Sequence, residues 1–125
     1  MSEIKLVAID LDGTLLNSKS EISNNSVVEI QRIYKMGVHV IITTTRNNFY
    51  VCAFCEELGI SDPFICSNGA QIYSKPGGTM WKQYTIPFKV ASSIAKLADK
   101  NNWELSTTVN FISQPESSTR LVFFQ

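Results

Sequence analysis

The sequence predicts an α/β fold built on a parallel sheet, and three observations carry that prediction. Short β-branched apolar runs around Leu6–Ile9, Val38–Ile42 and Phe64–Cys66 alternate with longer segments whose apolar residues recur at three and four positions. Each short run ends abruptly in a polar cluster, although Asn68-Gly69 after the third is, taken alone, just a turn signal. Strand, helix and strand at this spacing require a crossover connection, which places consecutive strands parallel and is right-handed.

The first run, Leu6-Val7-Ala8-Ile9, meets Asp10-Leu11-Asp12-Gly13-Thr14. Side chains two apart on an extended segment point the same way, so Asp10 and Asp12 can converge on one ligand where the strand stops. Gly13 permits the turn that follows. Two neighbouring carboxylates repel unless a cation or a shared proton offsets them, and an oxygen-only donor set suggests magnesium. An acidic turn that simply ends a strand is the plain structural alternative.

Asn17 to Glu21 is loop-like, and Ser23 is placed to cap a helix running through Val27, Ile30, Ile33 and Tyr34 to Gly37. Val38 to Ile42 then reads as a strand buried on both faces, with His39 as a strand residue rather than a catalyst. It ends in Thr43-Thr44-Thr45-Arg46. Ligands of open α/β sheets bind outside the carboxyl ends of the strands, so these hydroxyls and this guanidinium fall beside Asp10 and Asp12. A hydroxyl, backbone N–H groups and the N-terminus of a helix beginning near Asn47 suit a phosphoryl group. Threonines that end a strand and cap a helix would look the same.

A second helix is expected from Asn47 to Leu58, with Val51, Cys55 and Leu58 on one face and Gly59 as its stop. Phe64-Ile65-Cys66 follows as a third buried strand, then Ser67-Asn68-Gly69-Ala70. Gln71 to Tyr73 and Met80 to Tyr84, around Pro76-Gly77-Gly78, form a hairpin flanking the core. Val90, Ile94, Leu97 and Ala98 mark a third helix that starts at Pro87 and ends at Asn101-Asn102. Two further strands are expected over 103–109 and 120–124. Residues 1–84 thus form a core and 85–125 the start of a second domain.

Composition narrows the function. With 125 residues, 44% of them hydrophobic, and 11 basic against 11 acidic side chains, the chain suits a globular domain without electrostatic bias. A neutral balance argues against a nucleic-acid partner held by phosphate neutralisation. The longest apolar runs are strand-sized, short of the roughly twenty residues that span a membrane. The N-terminus enters a strand without a basic segment before it, so a cytoplasmic location is expected. Cys52, Cys55 and Cys66 are an odd set, read as reduced, structural thiols; Cys52-Ala53-Phe54-Cys55 lacks the second ligand pair that zinc would need.

The stretch DLDGTLLN, beginning at Asp10, resembles motif I of the haloacid dehalogenase (HAD) superfamily of phosphohydrolases. In the Cof-like branch motif II is an apolar strand followed by T-G-R, and Thr44-Thr45-Arg46 occupies that place, with Thr45 where the family usually has glycine. Asn68-Gly69-Ala70 resembles the branch's N-G-A signature. The resemblance implies a Rossmann-like, HAD-like core followed by the start of an α/β cap. It implies that Asp10 is the nucleophile, Asp12 the acid/base, and Thr44, Thr45, Arg46 and Asn68 the phosphate-binding set. Magnesium would be held by Asp10 and by the backbone carbonyl of Asp12, and the substrate would be a small phosphorylated metabolite such as a sugar phosphate.

The family's motif III lysine and motif IV acidic segment have no counterpart in this sequence, so the chain is expected to be a piece cut within the cap and impaired in catalysis. Two other readings stand beside the phosphatase. A non-catalytic interaction protein would self-associate through an incomplete core. A receiver-type phosphoacceptor would need its acceptor aspartate after the third strand, where this chain has Ser67-Asn68.

Overall fold

The structure, a computed structural model, describes residues 4–105. The chain divides into two compact units, Met1–Thr85 and Ile86–Gln125. In the first, the element order is β1 (Leu6–Ile9), α1 (Asn24–Lys35), β2 (His39–Ile42), α2 (Asn48–Leu58), β3 (Phe64–Cys66), β4 (Gln71–Tyr73) and β5 (Met80–Gln83). In the second, α3 spans Phe88–Asn101. The chain is therefore α/β.

β1 and β2 pair in parallel, Leu6 opposite His39 and Ile9 opposite Ile42, with α1 as the crossover. The signals read from the sequence act at both ends of that helix. Ser23 Oγ accepts the Ser26 N–H at 3.1 Å, and Gly37 takes the left-handed conformation with φ +87°. α2 is bounded in the same way: Asn47 Oδ1 accepts the Phe49 N–H at 3.1 Å, and Gly59, at φ +67°, receives the chain after Leu58.

β3 departs from the simple parallel sheet. It joins β2 through one parallel bridge, Thr43 to Ile65, supported by the Thr44 N–H donating to the Ile65 carbonyl at 3.0 Å. Its full partner is β4, antiparallel, and β4 pairs antiparallel with β5. The reason is local. β3 is only three residues long, and a tight turn at Ser67–Gly69 sends the chain straight back along it. The expected hairpin thus extends β3 rather than merely flanking the core. β2 also differs from expectation: Val40 and Ile42 are fully buried, whereas His39 is exposed and Ile41 half-buried, so only one face lies in the core.

That core joins Leu11, Leu16, Ile22 and Ile30 to Val40, Ile42, Val51, Cys55, Leu58, Ile60, Phe64 and Cys66. The face of α2 expected inward, Val51, Cys55 and Leu58, is the buried one. Phe64 stacks on Tyr73 with ring centroids 5.2 Å apart, tying β3 to β4. In the second unit α3 begins after Pro87 and ends at Asn102, which is left-handed at φ +55°. Of the two strands expected beyond it, only Trp103, Glu104 and Leu105 are described, in irregular backbone; the remainder lies outside the described residues.

Candidate active site

The site is assembled where β1, β2 and β3 end. β1 stops at Ile9, and the chain then makes a wide turn closed by two backbone bonds: Leu15 N–H to the Asp10 carbonyl at 3.3 Å and Leu16 N–H to the Leu11 carbonyl at 2.9 Å. Leu11 is fully buried and anchors the turn; Gly13, at φ +75°, makes it possible. Asp10 and Asp12 sit on either side of that anchor, both with extended backbone angles.

β2 delivers Thr43, Thr44 and Thr45. Thr44 is buried, and its hydroxyl oxygen accepts the Arg46 N–H at 3.2 Å, which leaves its O–H to donate. The turn after β3 closes on this loop from the other side. The Ser67 N–H donates to the Arg46 carbonyl at 2.8 Å, and the Asn68 N–H to the Thr44 carbonyl at 3.3 Å. The two strand-end loops are thereby clasped backbone to backbone.

The clasp carries strain. Ser67 (φ +51°) and Asn68 (φ +56°) are both left-handed, and Gly69 follows at φ +85°. Asparagine and glycine tolerate this region, but serine does so at a cost that the surroundings must offset. Buried Gln71 does so in part: its Oε1 accepts from Ser67 Oγ at 3.3 Å and from Cys66 Sγ at 3.6 Å. Nothing in the spacing of the sequence singles out Gln71; a glutamine on a strand that packs inward was the available signal.

Asp10, Thr43, Thr44, Thr45, Asn68 and Gly69, with Ile65 as floor, line one open cavity of about 430 Å³. Among the described residues the Asp10 carboxylate makes no hydrogen bond or ion pair, and Asp10 shares this lining with the three threonines and Asn68. Asp12 and Arg46 are not in that lining. They form their own forked pair: Arg46 Nε lies 2.8 Å from Asp12 Oδ2, and Nη2 lies 2.6 Å from Oδ1. The Arg46 guanidinium also lies over the rings of Tyr50, at 5.9 Å, and Phe54, at 5.4 Å.

Electrostatics follow from this pairing. The Arg46 hydrogen bonds hold the Asp12 carboxyl below the usual carboxylate range, against a smaller opposing effect of desolvation, and the same contact raises Arg46. Asp12 is therefore an ionised, forked partner. A divalent cation tests the donor set differently. Among the described residues no three His, Cys, Asp or Glu side chains group as a metal cage. Magnesium does not demand one, because it keeps several waters and binds through one or two carboxylates plus a phosphate. The unpaired Asp10 carboxylate fits that mode; the Asp12 carboxylate, committed to Arg46, does not.

A second cavity, of about 510 Å³, lies along the C-terminal half of α2 and is lined by Cys52, Cys55 and Glu56 together with Pro76 and Gly77. Of the two thiols there, Cys55 is inert, since burial pushes it up to about 12. No helix of the described residues is long and apolar enough to cross a membrane.

Comparison with known proteins agrees with this geometry. Residues 7–116 match the family of haloacid dehalogenase-like hydrolases. Phosphatase YwpJ of Bacillus subtilis is 35% identical over 120 residues, covering 95% of this chain and 42% of that protein. The 5-amino-6-(5-phospho-D-ribitylamino)uracil phosphatase YwtE of the same organism is 44% identical over 70 residues, or 56% of this chain and 24% of that one. A solved haloacid dehalogenase-like hydrolase from B. subtilis superposes with a TM-score of 0.69 at 39% identity, covering 78% of this chain and 34% of its own. The chain thus spans less than half the length of these relatives. With an unpaired aspartate at the end of the first strand, facing a threonine-lined cavity at the end of the second, it belongs to the haloacid dehalogenase-like hydrolases.

Proposed function

We propose that this chain carries the nucleophile and phosphate-binding part of a magnesium-dependent phosphohydrolase acting on small phosphorylated metabolites, sugar phosphates among them. The unpaired Asp10 carboxylate in the threonine-lined cavity supports this reading most directly. The relatives' names support it independently: one is a phosphatase and the other a 5-amino-6-(5-phospho-D-ribitylamino)uracil phosphatase.

In this mechanism an Asp10 oxygen attacks phosphorus while the bond to the ester oxygen breaks, leaving an aspartyl-phosphate that water then hydrolyses. Thr44, with the N–H groups of the clasped loops, hydrogen-bonds the phosphoryl oxygens. Magnesium, held by the Asp10 carboxylate and the Asp12 carbonyl, would supply positive charge against those oxygens. Asp12 protonates the leaving oxygen and later takes a proton from the attacking water. Its forked pair with Arg46 bears on that role. The guanidinium favours the charged carboxylate, so Asp12 must be released from Arg46 before it can carry a proton.

The test is release of nitrophenol from p-nitrophenyl phosphate, with and without magnesium, by this chain and by Asp10→Asn. Magnesium-dependent turnover lost in the variant supports the reading; turnover equal in the two overturns Asp10 as nucleophile.

A second reading, a non-catalytic protein that associates with copies of itself, is favoured by one observation. Among the described residues β1 has a strand partner on one side only, and Ile4 and Leu6 beside that edge are exposed. No turnover together with a concentration-dependent dimer in light scattering would favour it.

A further inference from the structure

Among the described residues two polar side chains are buried, Thr44 and Gln71, and both residues are bonded to the turn that follows β3. The Thr44 carbonyl accepts the Asn68 N–H at 3.3 Å, and Gln71 Oε1 accepts from Ser67 Oγ at 3.3 Å. Thr44 lines the cavity that holds Asp10; Gln71 does not. An amide is costly to bury unless it is bonded, so a glutamine that points inward from the first position of β4 needs a local reason. The backbone of the turn supplies one. Asn68 (φ +56°, ψ +33°) and Gly69 (φ +85°) are the central pair of a type I′ turn, closed by the Ala70 N–H on the Ser67 carbonyl at 3.0 Å. That pair suits its conformation without help. Ser67 precedes it and is left-handed too, at φ +51°, a region serine does not favour.

We infer that Gln71 is a positioning residue of the phosphate site: by accepting the Ser67 hydroxyl it holds Ser67 left-handed, and so sets Asn68 and Gly69 on the cavity they line with Asp10 and Thr44. That role rests on the phosphohydrolase reading for the identity of the ligand. With Ser67 so held, two successive N–H groups reach the neighbouring loop together, that of Ser67 on the Arg46 carbonyl and that of Asn68 on the Thr44 carbonyl. If Ser67 relaxes to extended backbone, the turn after it is re-aimed, and Asn68 loses both the Thr44 carbonyl and its place on the cavity wall. Gln71 acts from behind that wall, opposite Cys66 in the β3–β4 pairing, and touches no ligand itself.

The experiment titrates inorganic phosphate, with magnesium chloride present, into the full chain while following the Thr44 and Asn68 amide signals, and reads the Ser67 carbon chemical shifts as a signature of its backbone conformation. Gln71→Met, which fills the same space without an acceptor, is expected to weaken phosphate about three- to tenfold and to move the Ser67 shifts towards extended values, the worth of one left-handed residue left unsupported. Ser67→Ala cuts the same bond from a partly exposed side chain and is expected to do the same, so it carries the test if Gln71→Met does not fold. Adding Ser67→Gly to Gln71→Met, which makes the left-handed region easy to occupy, is expected to bring phosphate affinity back to within about twofold of the unchanged chain. Unchanged affinity and unchanged Ser67 shifts in Gln71→Met and Ser67→Ala overturn the inference. So does a loss in Gln71→Met that persists with Ser67→Gly, because Gln71 then only packs the hairpin. Failure of phosphate to move the signals of the unchanged chain overturns the phosphohydrolase reading, and the positioning role with it.

Discussion

Arg46 and Asp12, 34 positions apart, are joined through both arms of a guanidinium fork, at 2.8 and 2.6 Å. This pair holds the Asp12 carboxyl below its ordinary range. It also orients Arg46 towards Asp12 rather than into the cavity that Asp10 and Thr44 line.

Removing Arg46 should therefore be read on Asp12. Arg46→Ala is expected to raise the Asp12 midpoint from below its ordinary 3.8 to that value or above, since desolvation then acts unopposed. The check is a carboxyl-carbon NMR titration. Because the folded value is depressed, the pair contributes to stability above pH 3.8 and the contribution is lost as pH falls through the folded value. Arg46→Lys should restore only part of the shift, because a point charge cannot occupy both arms of the fork.

Asp62 fastens the start of β2 from the loop before β3. Its Oδ2 accepts the Val40 N–H at 2.7 Å, and its Oδ1 lies 3.0 Å from His39 Nδ1. Asp62→Ala leaves that buried N–H without a partner and should cost about 1–3 kcal/mol in urea unfolding. His39→Ala removes only an exposed partner and should cost less than about 1 kcal/mol.

Gly59 ends α2 in the left-handed region, at φ +67°, and an added Cβ would meet only Gln31 Nε2 at 3.7 Å, an ordinary contact. Gly59→Ala thus isolates the backbone term. A loss of about 1–2 kcal/mol in equilibrium unfolding is expected, and a neutral result would mean that the cap relaxes.

The three thiols should separate by reactivity. Cys52 is half-buried, whereas Cys55 and Cys66 are buried. Burial, with the neighbouring Cys52 second, pushes Cys55 up to about 12, so it stays protonated at ordinary pH. Burial also raises Cys66, against a lowering bond with Ser67. Iodoacetamide at about pH 8 is expected to label Cys52 first, and the other two only after denaturant is added. Rapid labelling of Cys55 in the folded chain would contradict this placement.

Much of the frame was legible because it is written in local interactions. Ser23 and Asn47 cap the helices they precede, Gly37 and Gly59 turn the chain after them, and Val51, Cys55 and Leu58 mark the buried face of α2 by period alone. Each depends on residues within a few positions, so the sequence by itself determined these elements and the strand ends where Asp10, Thr44 and Asn68 stand. It could not decide the partners made across those ends. Arg46 had a phosphate site and two carboxylates within reach on paper, and only the turn around buried Leu11 brings the Asp12 carboxylate onto its fork. The brevity of β3, the left-handed Ser67 and Asn68 supported by Gln71, and the hold of Asp62 on Val40 are likewise tertiary. Such contacts join groups far apart in the chain, and their geometry exists only once the strands are packed side by side.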